Sequence, residues 1–62
     1  MKHQHRQMFK RLLAPAGVPV GDTCAEELNT LMGLERAGQA EIKDAVWRPT
    51  LAGRRAFKAD TP

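Results

Sequence analysis

Large apolar residues in the first fourteen positions recur at the spacing of one helical stripe. They fall at i, i+1, i+4 and i+5 and are Met8, Phe9, Leu12 and Leu13. This spacing predicts a helix over residues 1–14. Pro15 ends it, because the residue before a proline is pushed out of the helical region. Residues 15–21 contain two prolines and two glycines, which predicts an extended segment, either a plain linker or a short strand against a sheet.

A second helix is predicted over residues 22–38 from its start and stop signals. Thr23 and Glu26 form a T-x-x-E capping box, and Gly38 is the expected C-terminal stop. The apolar face of this helix consists of Cys24, Leu28, Leu31 and Leu34. Gly33, which weakens a helix interior, is expected at a close contact with the first helix.

Residues 39–50 predict a β-hairpin. Ala40 and Ile42 alternate with polar residues, and Asp44-Ala45 supplies a tight turn. The second strand comprises Val46, Trp47 and Arg48, and ends at Pro49. Thr50 then caps a short final helix over residues 51–59, and residues 60–62 form a loose tail. The residues of this helix expected to face inward are Leu51, Ala56 and Phe57.

The C-terminal half of the chain resembles the end of a winged-helix domain, of the type found in MarR-like regulators and small phage or plasmid DNA-binding proteins. The matching residues are Leu31, Leu34, Glu35, Gly38, Trp47, Thr50, Gly53 and Arg54. The resemblance implies one small α+β, winged-helix-like domain built as helix, extended linker, helix, hairpin wing and short helix. It also implies a transcription-regulator-like module that binds DNA. The short segment 15–21 leaves no room for the third helix of that family.

Charge alternates along the chain, although the net charge of the 62 residues is only +3. Residues 1–21 carry cations without any acid, residues 22–44 are mainly acidic, and residues 45–62 are mainly basic. These segments either attract one another within the fold or create a basic surface where the two ends meet. The chain contains no apolar run long enough to span a membrane and no secretory signal. Its single cysteine suits a reducing compartment, so we expect a cytoplasmic protein.

Two interaction hypotheses follow from these charges. In the first, basic residues bind the phosphates of nucleic acid, unless they form only a solvated basic surface. These residues are Arg48, Arg54, Arg55 and Lys58, assisted by Arg6, Lys10 and Arg11. The alternative is a phage-type inhibitor or adaptor whose acidic second helix binds a basic protein partner. The acidic residues are Glu26, Glu27 and Glu35, which a nucleic acid would repel.

Other candidate sites have simpler explanations. Trp47 can stack on a base or anchor a partner, but a buried core position is expected of so large a side chain. His3 and His5 do not share a helix face, so they predict no metal site. Cys24 is expected to be a small buried residue rather than a nucleophile. We therefore expect no enzymatic activity, cofactor or small-molecule substrate. A homodimer is an open alternative to a monomer, because so small a chain can bury more apolar surface by self-association.

Overall fold

The computed structural model describes residues 1–60, which form three helices and a three-stranded antiparallel sheet. The helices are α1 (His3–Leu12), α2 (Ala25–Arg36) and α3 (Leu51–Ala59). The strands are β1 (Val18–Pro19), β2 (Ala40–Lys43) and β3 (Val46–Pro49), and a 3₁₀ turn spans Val20–Asp22. This confirms the predicted small α+β class, and the helix–hairpin–helix order is that of a winged-helix-like fold.

The sheet has the strand order β1-β3-β2, so the hairpin is extended by the segment that precedes α2. Val18 of β1 lies opposite Trp47, and Ile42 of β2 lies opposite the same tryptophan from the other side. Of the two expectations for residues 15–21, the short strand against the sheet is therefore the one that the structure shows. Asp44 and Ala45 have φ values of 54° and 60°, the left-handed geometry that a two-residue hairpin turn requires.

The core lies between α1, α2 and the inner face of the sheet. Its buried residues are Met8, Phe9, Leu12, Val18, Leu31, Leu34, Ala40 and Trp47. Trp47 is only 1% exposed, which confirms that it is a core residue. Phe57 packs from α3 against Phe9, with ring centroids 5.1 Å apart. Gly33 lies against the His5 ring, which confirms the predicted close contact between the first two helices.

The predicted N-cap of α2 is wrong by one residue, and the helix spans 25–36 rather than the predicted 22–38. The helix begins at Ala25 with Cys24 as its N-cap, and the Cys24 N–H donates to the Glu27 carboxylate at 3.0 Å. Thr23 is not the cap, because its hydroxyl donates to the Val20 carbonyl at 3.2 Å and closes the preceding 3₁₀ turn. Cys24 is consequently exposed, which corrects its predicted place in the apolar face.

The cap of α3 is confirmed, but one inward-facing residue of this helix is wrong. The Gly53 N–H donates to the Thr50 hydroxyl at 2.9 Å, and this hydroxyl donates to the Gly38 carbonyl at 2.6 Å. Leu51 is 64% exposed, whereas Gly53 is buried against Gln39 and Phe9. Because the glycine permits this close approach, α3 turns that side inward and Leu51 outward.

Candidate nucleic-acid interface

Three cations of α3 lie on one solvent-facing stripe of the helix. Arg54, Arg55 and Lys58 are all exposed, and with Leu51 they occupy positions i, i+3, i+4 and i+7. Residues at this spacing share one helix face. The opposite side, which includes Gly53, packs toward the core. We call Arg54, Arg55 and Lys58 the α3 basic face.

Within residues 1–60, every ion pair lies outside the α3 basic face. Asp60 lies 3.5 Å from the Arg6 guanidinium and 3.4 Å from the amino group of Met1, and Arg11 pairs with Glu27. No acidic side chain lies on the α3 stripe itself. Among the described residues, the three positive charges of the α3 basic face are therefore not offset by a bound carboxylate.

Arg6 joins α1 to the C-terminal end of α3. Its side chain is 23% exposed, and its guanidinium carbon lies 4.5 Å from the centre of the Phe57 ring. It also donates to the Phe57 carbonyl at 3.4 Å. A cation here suits the negative end of the helix dipole and the electron-rich ring face. The contacts of Arg6 therefore hold α1 against α3. The cations of the α3 basic face, in contrast, form no ion pair with a described carboxylate.

Arg11 is likewise paired, in this case with the N-terminal turn of α2. The pKa of Glu27 is lowered to about 2, first because the backbone N–H of Cys24 donates to this carboxylate and second because Arg11 does. The ion pair is exposed to solvent and is screened by salt. Lys10, next to Arg11 in α1, is exposed and lies one helical turn from Arg6.

Arg48 lies on the sheet, apart from the α3 stripe. Its neighbour Trp47 points into the core, so Arg48 points to the outer face, where it is half-buried. Glu41 of β2 stands directly opposite Arg48 in the antiparallel ladder. Opposite charges at this position attract, and they reduce the positive field around Arg48.

The three acidic residues predicted to bind a protein do not form one surface. Glu26 and Glu35 are nine positions apart, about two and a half helical turns, and therefore lie on opposite sides of α2. Glu27 is engaged by the helix cap and by Arg11. The outward stripe of α2 carries no acid and consists of Ala25, Asn29, Met32 and Arg36.

The remaining candidate residues are the histidines and the cysteine, whose side chains can bind metals. In the described part of the chain, no group of three or more histidine, cysteine or acidic side chains is arranged to hold a metal ion. His5 packs on Gly33, and the Cys24 thiol is exposed at the start of α2. None of the helices formed by the described residues is long and apolar enough to cross a bilayer.

The contact between Asp60 and Arg6 is a structural feature near the candidate site that the sequence did not predict. Asp60 belongs to the predicted tail of residues 60–62, but it is the C-cap of α3 and its carboxylate pairs with Arg6, 54 positions earlier in the sequence. Spacing rules for helices relate residues three or four positions apart, so they cannot predict a contact between residues this distant in the sequence. Residues 61–62 of that predicted tail lie outside the described residues. Comparison with known proteins adds no further assignment, because no protein-family model, no curated protein and no solved structure matches this chain.

Proposed function

We propose that this protein is a small, non-enzymatic, winged-helix regulatory module that binds DNA through the α3 basic face. The observation that carries the proposal is the exposed, acid-free stripe of Arg54, Arg55 and Lys58. Its role in transcription regulation and its cytoplasmic location are part of the same proposal. They rest on the resemblance of the C-terminal half and on the single cysteine.

Phosphate is the ligand that this stripe suits best. Arginine presents a rigid fork of donors that matches phosphate oxygens, and lysine adds a mobile point charge. From Arg54 to Lys58 the helix rises about 6 Å, so the three side chains can reach more than one phosphate. Each neutralised phosphate releases counterions, which makes binding favourable at low salt and weak at high salt.

The other predicted basic residues contribute unequally to this proposal. Lys10 is exposed and can assist from α1, whereas Arg48 faces Glu41 on the sheet. Arg6 and Arg11 already have carboxylate partners, and contacts to phosphate would require them to exchange these partners. We therefore assign the main phosphate contacts to the α3 basic face alone.

The alternative, an inhibitor or adaptor that binds a protein through Glu26, Glu27 and Glu35, receives less support. Their separation around α2 and the engagement of Glu27 remove the common acidic surface that this alternative needs. An exposed apolar pair on α2, Leu28 at 38% and Met32 at 39%, is too small to define a protein interface by itself.

The experiment is fluorescence anisotropy with a labelled mixed-sequence DNA duplex at low salt. The test variant combines Arg54→Glu and Arg55→Glu, which lowers the net charge from +3 to −1. A matched control combines Arg36→Glu and Lys43→Glu. These two cations are also exposed, and their reversal changes the net charge by the same amount. Circular dichroism verifies that both variants fold.

We expect the α3 variant to lose at least tenfold in affinity and the matched control to lose much less. Equal losses would mean that only net charge matters and would refute the assignment of the site. A larger loss in the Arg36/Lys43 control would place the contacts on α2 and the hairpin instead. Absence of binding by the unmodified protein, even at low salt, would refute the proposed function.

A further inference from the structure

We infer that the α3 basic face binds the phosphate backbone of duplex DNA without reading the bases. This inference rests on the proposed function and narrows it to one class of ligand. Two independent features of the structure support it. The first is that all three aromatic side chains are either buried or packed against other side chains. The second is the way in which α3 is held against the rest of the molecule, together with the residues that its first turn exposes.

Single-stranded nucleic acid is usually bound by stacking its bases on exposed aromatic rings. The chain has three aromatic residues and no tyrosine. Trp47 is 1% exposed and Phe9 is fully buried. The Phe57 ring is contacted by both Phe9 and the Arg6 guanidinium. Residues 1–60 therefore present no aromatic stacking platform, and a single strand would bind through its charge alone.

Charge alone favours a duplex over a single strand. A duplex carries one negative charge for about every 1.7 Å of its axis, so it retains more condensed counterions to release. The expected salt dependence of duplex binding is about −0.9 per phosphate contact, compared with about −0.7 for single strands. A site that works only by charge should therefore bind duplex DNA more tightly at low salt.

Base reading from α3 is disfavoured by the orientation in which this helix is held and by the residues in its first turn. At its start, the Thr50 hydroxyl donates to the carbonyl of Gly38, two residues after the end of α2. At its end, Asp60 and the Phe57 carbonyl bind Arg6 of α1. Between these ends Gly53 rests on Gln39. Recognition helices contact base edges with their N-terminal residues. The exposed residues in the first turn of α3, Leu51 and Ala52, have no hydrogen-bonding side chain.

The side chains on the exposed stripe restrict base reading further. Besides its three cations the stripe carries only Leu51, so it has no amide to recognise adenine, and guanine is the only base that its arginines and lysine commonly contact. Asn29, an exposed amide, lies on the outward stripe of α2 with Arg36, on a different helix. These two residues provide a direct control, because base reading by α2 would depend on them.

The test compares three labelled ligands of equal length with the unmodified protein at low salt: an A·T-rich duplex, a G·C-rich duplex and a mixed-sequence single strand. We expect the two duplexes to bind within about threefold of each other, and the single strand to bind more weakly than either. The duplex affinity should fall with salt at a log–log slope of about −2.7, the product of three cations and about −0.9 each. The Asn29→Ala/Arg36→Ala variant should, like the unmodified protein, bind the two duplexes without sequence preference.

Two results would overturn this inference while leaving nucleic-acid binding intact. One is tighter binding to the single strand. The other is a preference of tenfold or more between duplexes, particularly one that disappears in the Asn29→Ala/Arg36→Ala variant. Absence of binding to all three ligands is a different outcome, because it would overturn the proposed function together with the inference.

Discussion

Gly53→Ala should destabilise the protein, although alanine is ordinarily the better helix residue. A methyl group at this position would meet the Gln39 carbonyl oxygen and would lie 2.8 Å from Cε2 of Phe9. The carbonyl belongs to the backbone and also accepts a hydrogen bond from the Thr50 N–H at 3.2 Å. It cannot rotate away as a flexible side chain would, so α3 must move off the start of the hairpin.

The expected size of the effect follows from two opposing terms. Replacing glycine with alanine inside a helix gains about 1 kcal/mol from the lower entropy of the unfolded chain. Overpacking a well-packed site costs about 1–3 kcal/mol, and contact with a backbone carbonyl favours the upper end of that range. We therefore expect a net loss of about 2 kcal/mol in the free energy of unfolding. In a domain of this size such a loss lowers the melting temperature by roughly 8–16 °C.

Urea unfolding followed by the fluorescence of Trp47 measures this loss. Trp47 is the single tryptophan and is buried, so its emission reports on the core. Gly21→Ala is the matched control, because nothing lies within 4 Å of the position that its methyl group would occupy. The control should be neutral or stabilised by up to about 1 kcal/mol. If Gly53→Ala is as stable as this control, the close packing of α3 on Gln39 is wrong.

Two further changes test local parts of the fold. Thr50→Ala removes the cap of α3 and the bond to Gly38, and should cost about 1–2 kcal/mol, measured by urea unfolding. The pKa of Glu27 is about 2, below its ordinary value of 4.5, so its ionised form stabilises the folded state above pH 4.5. This contribution should be lost as the pH falls from 4.5 toward 2, and melting temperatures of Glu27→Gln should change less over that interval. An identical acid profile in both proteins would contradict the capping role of Glu27.

Apolar spacing and turn residues predict the elements of this fold, because both are local properties of the sequence. The stripe from Met8 to Leu13, the turn at Asp44-Ala45 and the cap at Thr50 all lie where the sequence placed them. The start of α2 was harder to predict, because two overlapping capping-box patterns offer different N-cap residues. Thr23 with Glu26 and Cys24 with Glu27 both have capping-box spacing, and intrinsic preference favours the threonine. Pairing of β1 with β3 decides between them, because it positions the 3₁₀ turn that uses the Thr23 hydroxyl.

The candidate interface was predictable only in part. The sequence identified the cations of α3, but it could not separate them from Arg6 and Arg11. The partners of these two arginines, Asp60 and Glu27, are 54 and 16 residues distant. Such pairs depend on how α1 packs against the other helices, and no periodicity encodes that packing. Gly53 lies three residues after the capping Thr50, and this spacing could have identified the inward side of α3 from the sequence. The same spacing argued against burying Leu51.

The distribution of charge around each helix matters more for a polyanion than the charge of a chain segment. Residues 22–44 are acidic overall, and this suggested that α2 would repel nucleic acid. In the fold, Glu27 is engaged by the cap and Arg11, while Glu26 and Glu35 lie on opposite sides of α2. Their fields therefore do not add on one face. The α3 cations instead occupy one stripe, where their fields do add, so this short helix has the more favourable surface for phosphate.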